Sequence, residues 1–456
     1  MPRLLLGENM LVSFSCGNFL SYDSVQTLSL RAAKKLRTKK EHFSCSKNAG
    51  NILKFAAMYG ANSAGKSNFF KAMNVMRGFV LSGHLVQNSA ELYCRIKKQN
   101  ITTPSFFEIC FLVDDVPYTY GLNIDMQHKL VLSEWLFFTK GETKQYLFNK
   151  ENVDSGIAFG PALADCAEIQ VLSNIFSGGE SPFLYCMNHN TKFFYDKNPK
   201  ARILQKIFEW FALHFEVIYP EQPISDTALL DDPATLKEYA KFLGMFGTGI
   251  VDVAKEEVSE DKVKSNLSVV DRANMEFRMN LVRTNNLLGK EKREWSAVIR
   301  NRANIFTIKM DTNGIAKYYV LKFIHQYGDE KAAYEMRRES DGTYWLFQLL
   351  DVLMTAKDKV FVIDEISRCM HPLLTIRFIE EFLNRAAERP VQLIVTTHET
   401  RLMKHEFLRR DEVWVCDNAD DGSSKLSNFD EKQVRIDKVM DQNYMEGDFG
   451  GIPRLR

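Results

Sequence analysis

Residues 59–70 read YGANSAGKSNFF. Inside that stretch, Gly60-Ala61-Asn62-Ser63-Ala64-Gly65-Lys66-Ser67 satisfies the pattern G-x-x-x-x-G-K-[ST]. Glycines there let backbone N–H groups face a phosphate with no Cβ in the way. The positive end of a following helix adds to the cradle. The pattern needs a strand before it and a helix after it. NILKFAAMYG (51–60) is a compact apolar strand, and SNFFKAMNVMRGFVLSG (67–83) has helical periodicity and stops at Gly83. The cradle is therefore expected to comprise Gly60, Asn62, Ser63, Ala64, Gly65, Lys66, Ser67 and Asn68. Lys66 would supply a point charge to the β- and γ-phosphates of ATP, and Ser67 a ligand to Mg²⁺.

Such a loop needs a distant carboxylate on a neighbouring strand. KVFVIDE (359–365) offers one, an apolar run ending in Asp364 and Glu365. Asp364 would hold Mg²⁺, directly or through water. Glu365 would orient and polarise the attacking water. QLIVTTHET (392–400) is a second apolar strand and ends at His398. A lone histidine is usually structural, but this one closes a strand where polar groups gather around a γ-phosphate. It joins Glu365 as a catalytic candidate.

The bulk numbers frame these motifs. The chain has 456 residues, 45% of them apolar, enough for roughly two to four folding units. Lys plus Arg number 59 against 58 Asp plus Glu, a net charge of +1, without the basic excess of a dedicated nucleic-acid binder. The one basic run, RAAKKLRTKKEH (31–42), reads as a solvated loop. Eight cysteines lie scattered with no C-x-x-C pair, which argues against zinc and fits a reducing cytoplasm. No apolar run approaches the roughly 20 residues that cross a bilayer, and MPRLLLGENM lacks the sustained apolar core of a signal peptide. A soluble cytoplasmic protein is expected, with no membrane partner.

Alternating text at 10–32 reads as two strands with a turn at Gly17-Asn18, and 106–140 as an antiparallel meander turning near Asp114-Asp115 and Gln127-His128. Residues 198–215 and 232–246 read as amphipathic helices, the second opened by Asp232-Pro233. After 303, strands flanked by helices and apolar on both faces indicate a mostly parallel sheet. The expected class is α/β, a mixed sheet with covering helices plus a β-meander and a largely helical insertion. The expected divisions are 1–150, 151–302 for the insertion, and 303–456.

The order of motifs resembles the ABC-class ATPase heads of transporters, Rad50, SMC and OLD-type defence proteins. That resemblance implies a signature loop before the Asp-Glu strand, capping the nucleotide of a partner head. FSGGE (176–180) is nearer in letters to the transporter form L-S-G-G-Q, but ESDGT (339–343) opens the helix YWLFQLLDVL next to that strand. Position favours Ser340 and Gly342. NFLSYDSVQTLSL, YGANSAGKSN, ESDGT, IDEISRCMHPLLT and the late YMEGDFGGIPRL together resemble OLD-related standalone bacterial ATPases. That group includes the PARIS sensor ATPase (AriA) and RloA, with Septu's PtuA ATPase a near alternative. The resemblance implies an ATP-hydrolysing sensor or scaffold of anti-phage abortive infection. It would self-associate as a homodimer or larger homo-oligomer through ATP-sandwich sites and control a separate effector nuclease of TOPRIM type encoded nearby. A phage protein would be the trigger, sensed or docked by the insertion, and DNA contact stays open. The chain has no D-x-D pair, so a TOPRIM nuclease within it is disfavoured. The alternative is a DNA-repair head of the Rad50 or SMC kind, which would carry a long heptad arm.

Overall fold

A computed structural model describes residues 9–141, 143–176, 178–189, 194–219, 230, 232–288, 292, 294–355, 358–404, 406–431, 440–448 and 450–452. The chain forms two compact units. One comprises Met1–Ile218, Ala356–Ile366 and Ile379–Arg456, the other Tyr219–Thr355 and Ser367–Phe378.

The first unit contains a six-stranded sheet in the order Phe215–Ile218, Lys359–Ile363, Val391–Thr396, Phe55–Tyr59, Val413–Asn418 and Ser424–Asn428. Its first five strands run parallel, and Ser424–Asn428 returns antiparallel. Every residue of Phe55–Tyr59, Lys359–Ile363 and Val391–Thr396 is buried, which is why these strands read as unbroken apolar runs rather than alternating ones. Ile363 is level with Val395, and Thr396 with Met58. Gly60, Asp364 and His398 therefore leave the sheet at one edge, the carboxyl end where ligands of open parallel sheets bind.

The meander forms a seven-stranded antiparallel sheet that includes Leu11–Gly17, Gln26–Ser29, Ser105–Val113, Val116–Asp125 and Leu130–Lys140. SFFEICFLV (105–113) alternates buried with half-buried positions over its first half. Asp114 and Asp115, with φ of 51° and 65°, make the two-residue hairpin turn expected there. Gln127 and His128 turn on the Asp125 carboxylate, which accepts both of their backbone N–H groups. Residues 198–215 form a helix in three pieces, Pro199–Ala201, Arg202–Glu209 and a wider turn over Trp210–His214.

The second unit has a five-stranded antiparallel sheet of Ile250–Val258, Ala316–Tyr327, Ile305–Met310 and Trp295–Arg300, with Glu330–Tyr334 also paired to Ala316–Tyr327. Its helix Val269–Leu288 lays Met275 and Met279 on Phe306, Ile308 and Val320. The expected second helix, Pro233–Met245, is capped by Asp232, whose carboxylate accepts from Thr235 N–H at 3.0 Å.

The unit boundaries differ from the expected divisions at 150 and 302. Among the described residues of 151–302 more are helical than extended, but residues up to Ile218 belong to the first unit, and the second runs on to Thr355. Backbone pairing decides this. Trp295–Arg300 and Ile250–Val258 bond to Ile305–Met310 and Ala316–Tyr327, so the sheet crosses residue 302. Such pairing leaves no mark in charge-rich text like VDVAKEEV. Among the described residues, Val269–Leu288, with 20 residues, is the longest helix. At 1.5 Å per residue it spans about 30 Å.

Candidate nucleotide site

The site starts where Phe55–Tyr59 gives way to its loop. Gly60, Ser63 and Gly65 have φ of 154°, 64° and 111°. A Cβ on Gly60 would strike the Cys416 carbonyl oxygen, and one on Gly65 would strike the Ser424 hydroxyl. Both glycines are thus required by close approach as well as by conformation. Helix Lys66–Ser82 follows, and ends at left-handed Gly83 as expected. Its N-cap, Gly65, makes no side-chain cap hydrogen bond, and its first turn carries no acid. The positive end of a 17-residue helix is therefore presented without a neutralising carboxylate of its own.

Lys66 is folded back across the loop. Its Nζ donates to the Gly60 oxygen at 2.7 Å and the Ala61 oxygen at 3.0 Å. Burial holds the ammonium below its ordinary pKa, while the neighbouring Cys416 sulfur and the Asp364 and Glu365 carboxylates pull it up. Two carbonyl dipoles are weak partners for a buried cation, so an arriving phosphate would be the stronger one.

Asp364 is buried, and its Oδ1 accepts from Thr396 Oγ1 at 2.6 Å. The same hydroxyl accepts the Glu365 N–H at 2.7 Å. The Asp364 N–H donates to the Ile218 oxygen on the neighbouring strand at 3.0 Å. Glu365 is exposed and left-handed, with φ of 51°. For a side chain of this kind that conformation costs on the order of 1–2 kcal/mol, and the Thr396 bond holds it in place. His398 is exposed, yet partial burial keeps its pKa below the usual value, helped by the Lys66 charge and opposed by Glu365 and Asp364. Lys66, Asp364, Glu365 and His398 thus share one electrostatic site. Ser67, half-buried in the first turn of the helix, and Asp364 are the groups that would hold Mg²⁺, and both are hard oxygen donors suited to it.

Several supporting residues carry no motif. The Tyr22 hydroxyl donates to the Gly65 oxygen at 3.0 Å, and Cys416 Sγ donates to the Ala64 oxygen at 2.9 Å. The two side chains meet at 3.3 Å, so they brace the loop from beneath. Burial pushes the Cys416 thiol up to about 11, keeping it protonated and a donor. Asn68 turns to Ser21, donating to its hydroxyl at 2.9 Å, and Ser424 does the same at 2.7 Å. Asn68 is therefore engaged in holding the loop to the Ser21 turn. Asn62 and Ser63 are exposed, and Ala64 is buried beneath them. An open cavity of about 930 Å³ has Ala61, Asn62 and His398 among its walls.

Ser340 and Gly342 lie in the second unit. Ser340 is the N-cap of Asp341–Met354, its Oγ accepting from Thr343 N–H at 3.0 Å. A Cβ on Gly342 would sit 2.5 Å from the Cys369 oxygen. Arg302 grips this turn, donating to Asp341 at 2.7 Å, the Glu339 oxygen at 2.6 Å and the Met336 oxygen at 2.9 Å. In the competing FSGGE, residue 177 lies outside the described residues. Phe176 caps the end of a helix there, and the Gly179 oxygen accepts from Val131 N–H at 2.7 Å. Among the described residues, no cluster of three or more His, Cys, Asp or Glu could hold a further metal, and no helix is long and apolar enough to cross a membrane.

A family model described as "AAA domain, putative AbiEii toxin, Type IV TA system" matches residues 55–404. Among solved structures, the chain is similar to an SMC head bound to the C-winged helix domain of ScpA, at 12% identity and a TM-score of 0.40, covering 91% of this chain and 97% of that one. It is also similar to the SMC head domain of Thermotoga maritima, at 10% identity and a TM-score of 0.35, covering 92% and 98%. A third is the SMC head with an extended coiled coil from Pyrococcus furiosus, at 14% identity and a TM-score of 0.34, covering 92% and 96%. No curated protein matches the chain.

Proposed function

The chain belongs to that AAA-domain family, and on this premise we propose that it is a Mg²⁺-dependent ATPase serving as the sensor or scaffold subunit of an anti-phage defence system. The observation that carries the catalytic part is the meeting of Lys66, Asp364, Glu365 and His398 at one sheet edge. Mg²⁺, when bound, would neutralise phosphate charge. Lys66 would leave the Gly60 and Ala61 carbonyls for the β- and γ-phosphates. Glu365, exposed and left-handed at the strand end, would accept a proton from the attacking water. His398, neutral at pH 7, would offer a ring N–H toward the γ-phosphate.

Ser340 and Gly342 would form the signature that caps the ATP of a second copy, giving an ABC-type head that self-associates. A family described by toxin–antitoxin systems supports a role in growth arrest. The sequence likeness to OLD-related ATPases of the PARIS and RloA group supports a sensor that works with a separate effector nuclease. ATP-bound heads would favour one arrangement, and an infection signal would shift it by binding one state better.

The test is expression of the chain alone and with its neighbouring genes, with and without phage challenge, followed by assays of growth and of DNA and tRNA integrity. Growth arrest and cleavage that require the neighbouring gene support the reading. Cleavage by this protein alone, abolished by a point change within it, overturns the separate effector.

A further inference from the structure

Late in the chain, within YMEGDFGGI (444–452), the described residues 444–448 and 450–452 include groups that return to the nucleotide loop. Short helix Met440–Met445 buries Met440, Asn443 and Tyr444. The Tyr444 ring packs on Tyr59, the last residue of the strand before the loop, with centroids 5.9 Å apart. The Tyr59 hydroxyl in turn donates to the oxygen of Glu399, the residue after His398, at 3.2 Å.

The Tyr444 hydroxyl ties the helix to the glycine pair that follows it. It donates to the Gly451 oxygen at 2.8 Å. Burial pushes this phenol up to about 12, so it keeps the proton that it donates. Gly60 is thus held between two neighbours, its oxygen bonded by Lys66 at 2.7 Å and its Cα backed by the Gly451 backbone that Tyr444 fixes. Gly450 and Gly451 are consecutive left-handed residues, with φ of 71° and 72°. A Cβ on Gly451 would lie 2.6 Å from Val415 Cγ1 and 3.4 Å from the Gly60 Cα. Only glycine lets the segment sit this close to the loop. Tyr444 and Gly451 also line the cavity that Asn62 and His398 line.

We propose that this segment is a built-in wall of the nucleotide site, and that Tyr444 is a positioning residue setting the Gly60–Asn62 limb of the loop for the γ-phosphate. The inference rests on the ATP reading above. The limb lines one cavity with His398, the residue that the ATP reading sets toward the γ-phosphate. Loosening the limb should therefore discriminate ATP from ADP. A general loss of structure would weaken both alike.

The experiment measures ATP and ADP affinities by displacement of a fluorescent nucleotide, with a melting curve of the nucleotide-free protein. It uses the full chain, Tyr444→Phe, Gly451→Ala and Lys66→Ala. Tyr444→Phe keeps the ring on Tyr59 and removes the bond to the Gly451 oxygen, loosening the backbone that packs against Gly60. Its ATP affinity is expected to fall about 5- to 50-fold while ADP affinity changes less than about twofold. Gly451→Ala, which forces the segment off the loop, should shift the ATP-to-ADP ratio the same way. It carries the test if Tyr444→Phe does not fold. A wild-type ratio in the folded variants, whether both affinities hold or fall together, overturns the proposal. Unchanged ATP affinity in Lys66→Ala would overturn the nucleotide reading itself, and this inference with it.

Discussion

Thr396 and Asp364 are joined by a buried 2.6 Å hydrogen bond between the ends of adjacent parallel strands. The donor hydroxyl also receives the Glu365 N–H, so one threonine orients the expected Mg²⁺ ligand and the expected general base. Thr396→Val keeps the shape and removes both bonds. It should cost about 1–3 kcal/mol of stability and lower turnover more than ATP affinity. Equilibrium denaturation and steady-state kinetics check this. A fully active variant of unchanged stability would show that the hydroxyl orients neither carboxylate.

His398 supplies a pH signature. Partial burial, and after it the Lys66 ammonium, keep its pKa below the ordinary value of about 6.5. Above that pH the ring is neutral in the folded and unfolded chain alike, and it adds no pH dependence to stability. As pH falls below it, the unfolded chain takes up the proton first. Stability declines and levels off once pH passes the folded pKa. An NMR titration of His398 should give a midpoint below 6.5, and Lys66→Ala should raise it. A midpoint at the ordinary value, or one indifferent to Lys66→Ala, would separate His398 from the site.

The signature assignment is tested across subunits. Gly342 has no room for a side chain against the Cys369 carbonyl, and a carboxylate there would also oppose a γ-phosphate. Gly342→Asp and Lys66→Ala subunits should each be inactive alone. Mixed together, they should regain part of the ATPase activity, because some paired sites combine a sound loop with a sound signature. Co-assembled mixtures with no recovery would argue against sites shared between copies.

How much of this was legible in the text depends on which interactions leave a mark in it. The Gly60–Ser67 loop, the Asp364 strand and the His398 strand announced themselves, because burial on both faces demands unbroken apolar runs, and positive φ with close approach of Cys416 and Ser424 demands glycine at Gly60 and Gly65. Asp114-Asp115 was legible for a similar reason, since a two-residue hairpin needs left-handed backbone there. The roles of Tyr22, inside NFLSYDSVQTLSL, and of Cys416 were not, because each acts on the loop by a single hydrogen bond to backbone that no spacing marks. The sheet crossing residue 302 was hidden because its charged strands pair through backbone groups common to every sequence.

The most direct measurement is ATP binding and single-turnover hydrolysis by the wild-type protein and by Glu365→Gln, made on the same folded preparations. The amide keeps the shape of the side chain and removes the charge that takes the water's proton. The variant should bind Mg²⁺-ATP as tightly as the wild type and hydrolyse it about 10²–10⁴-fold more slowly. Wild-type turnover in Glu365→Gln, or a folded wild-type chain that fails to bind ATP, would contradict the account.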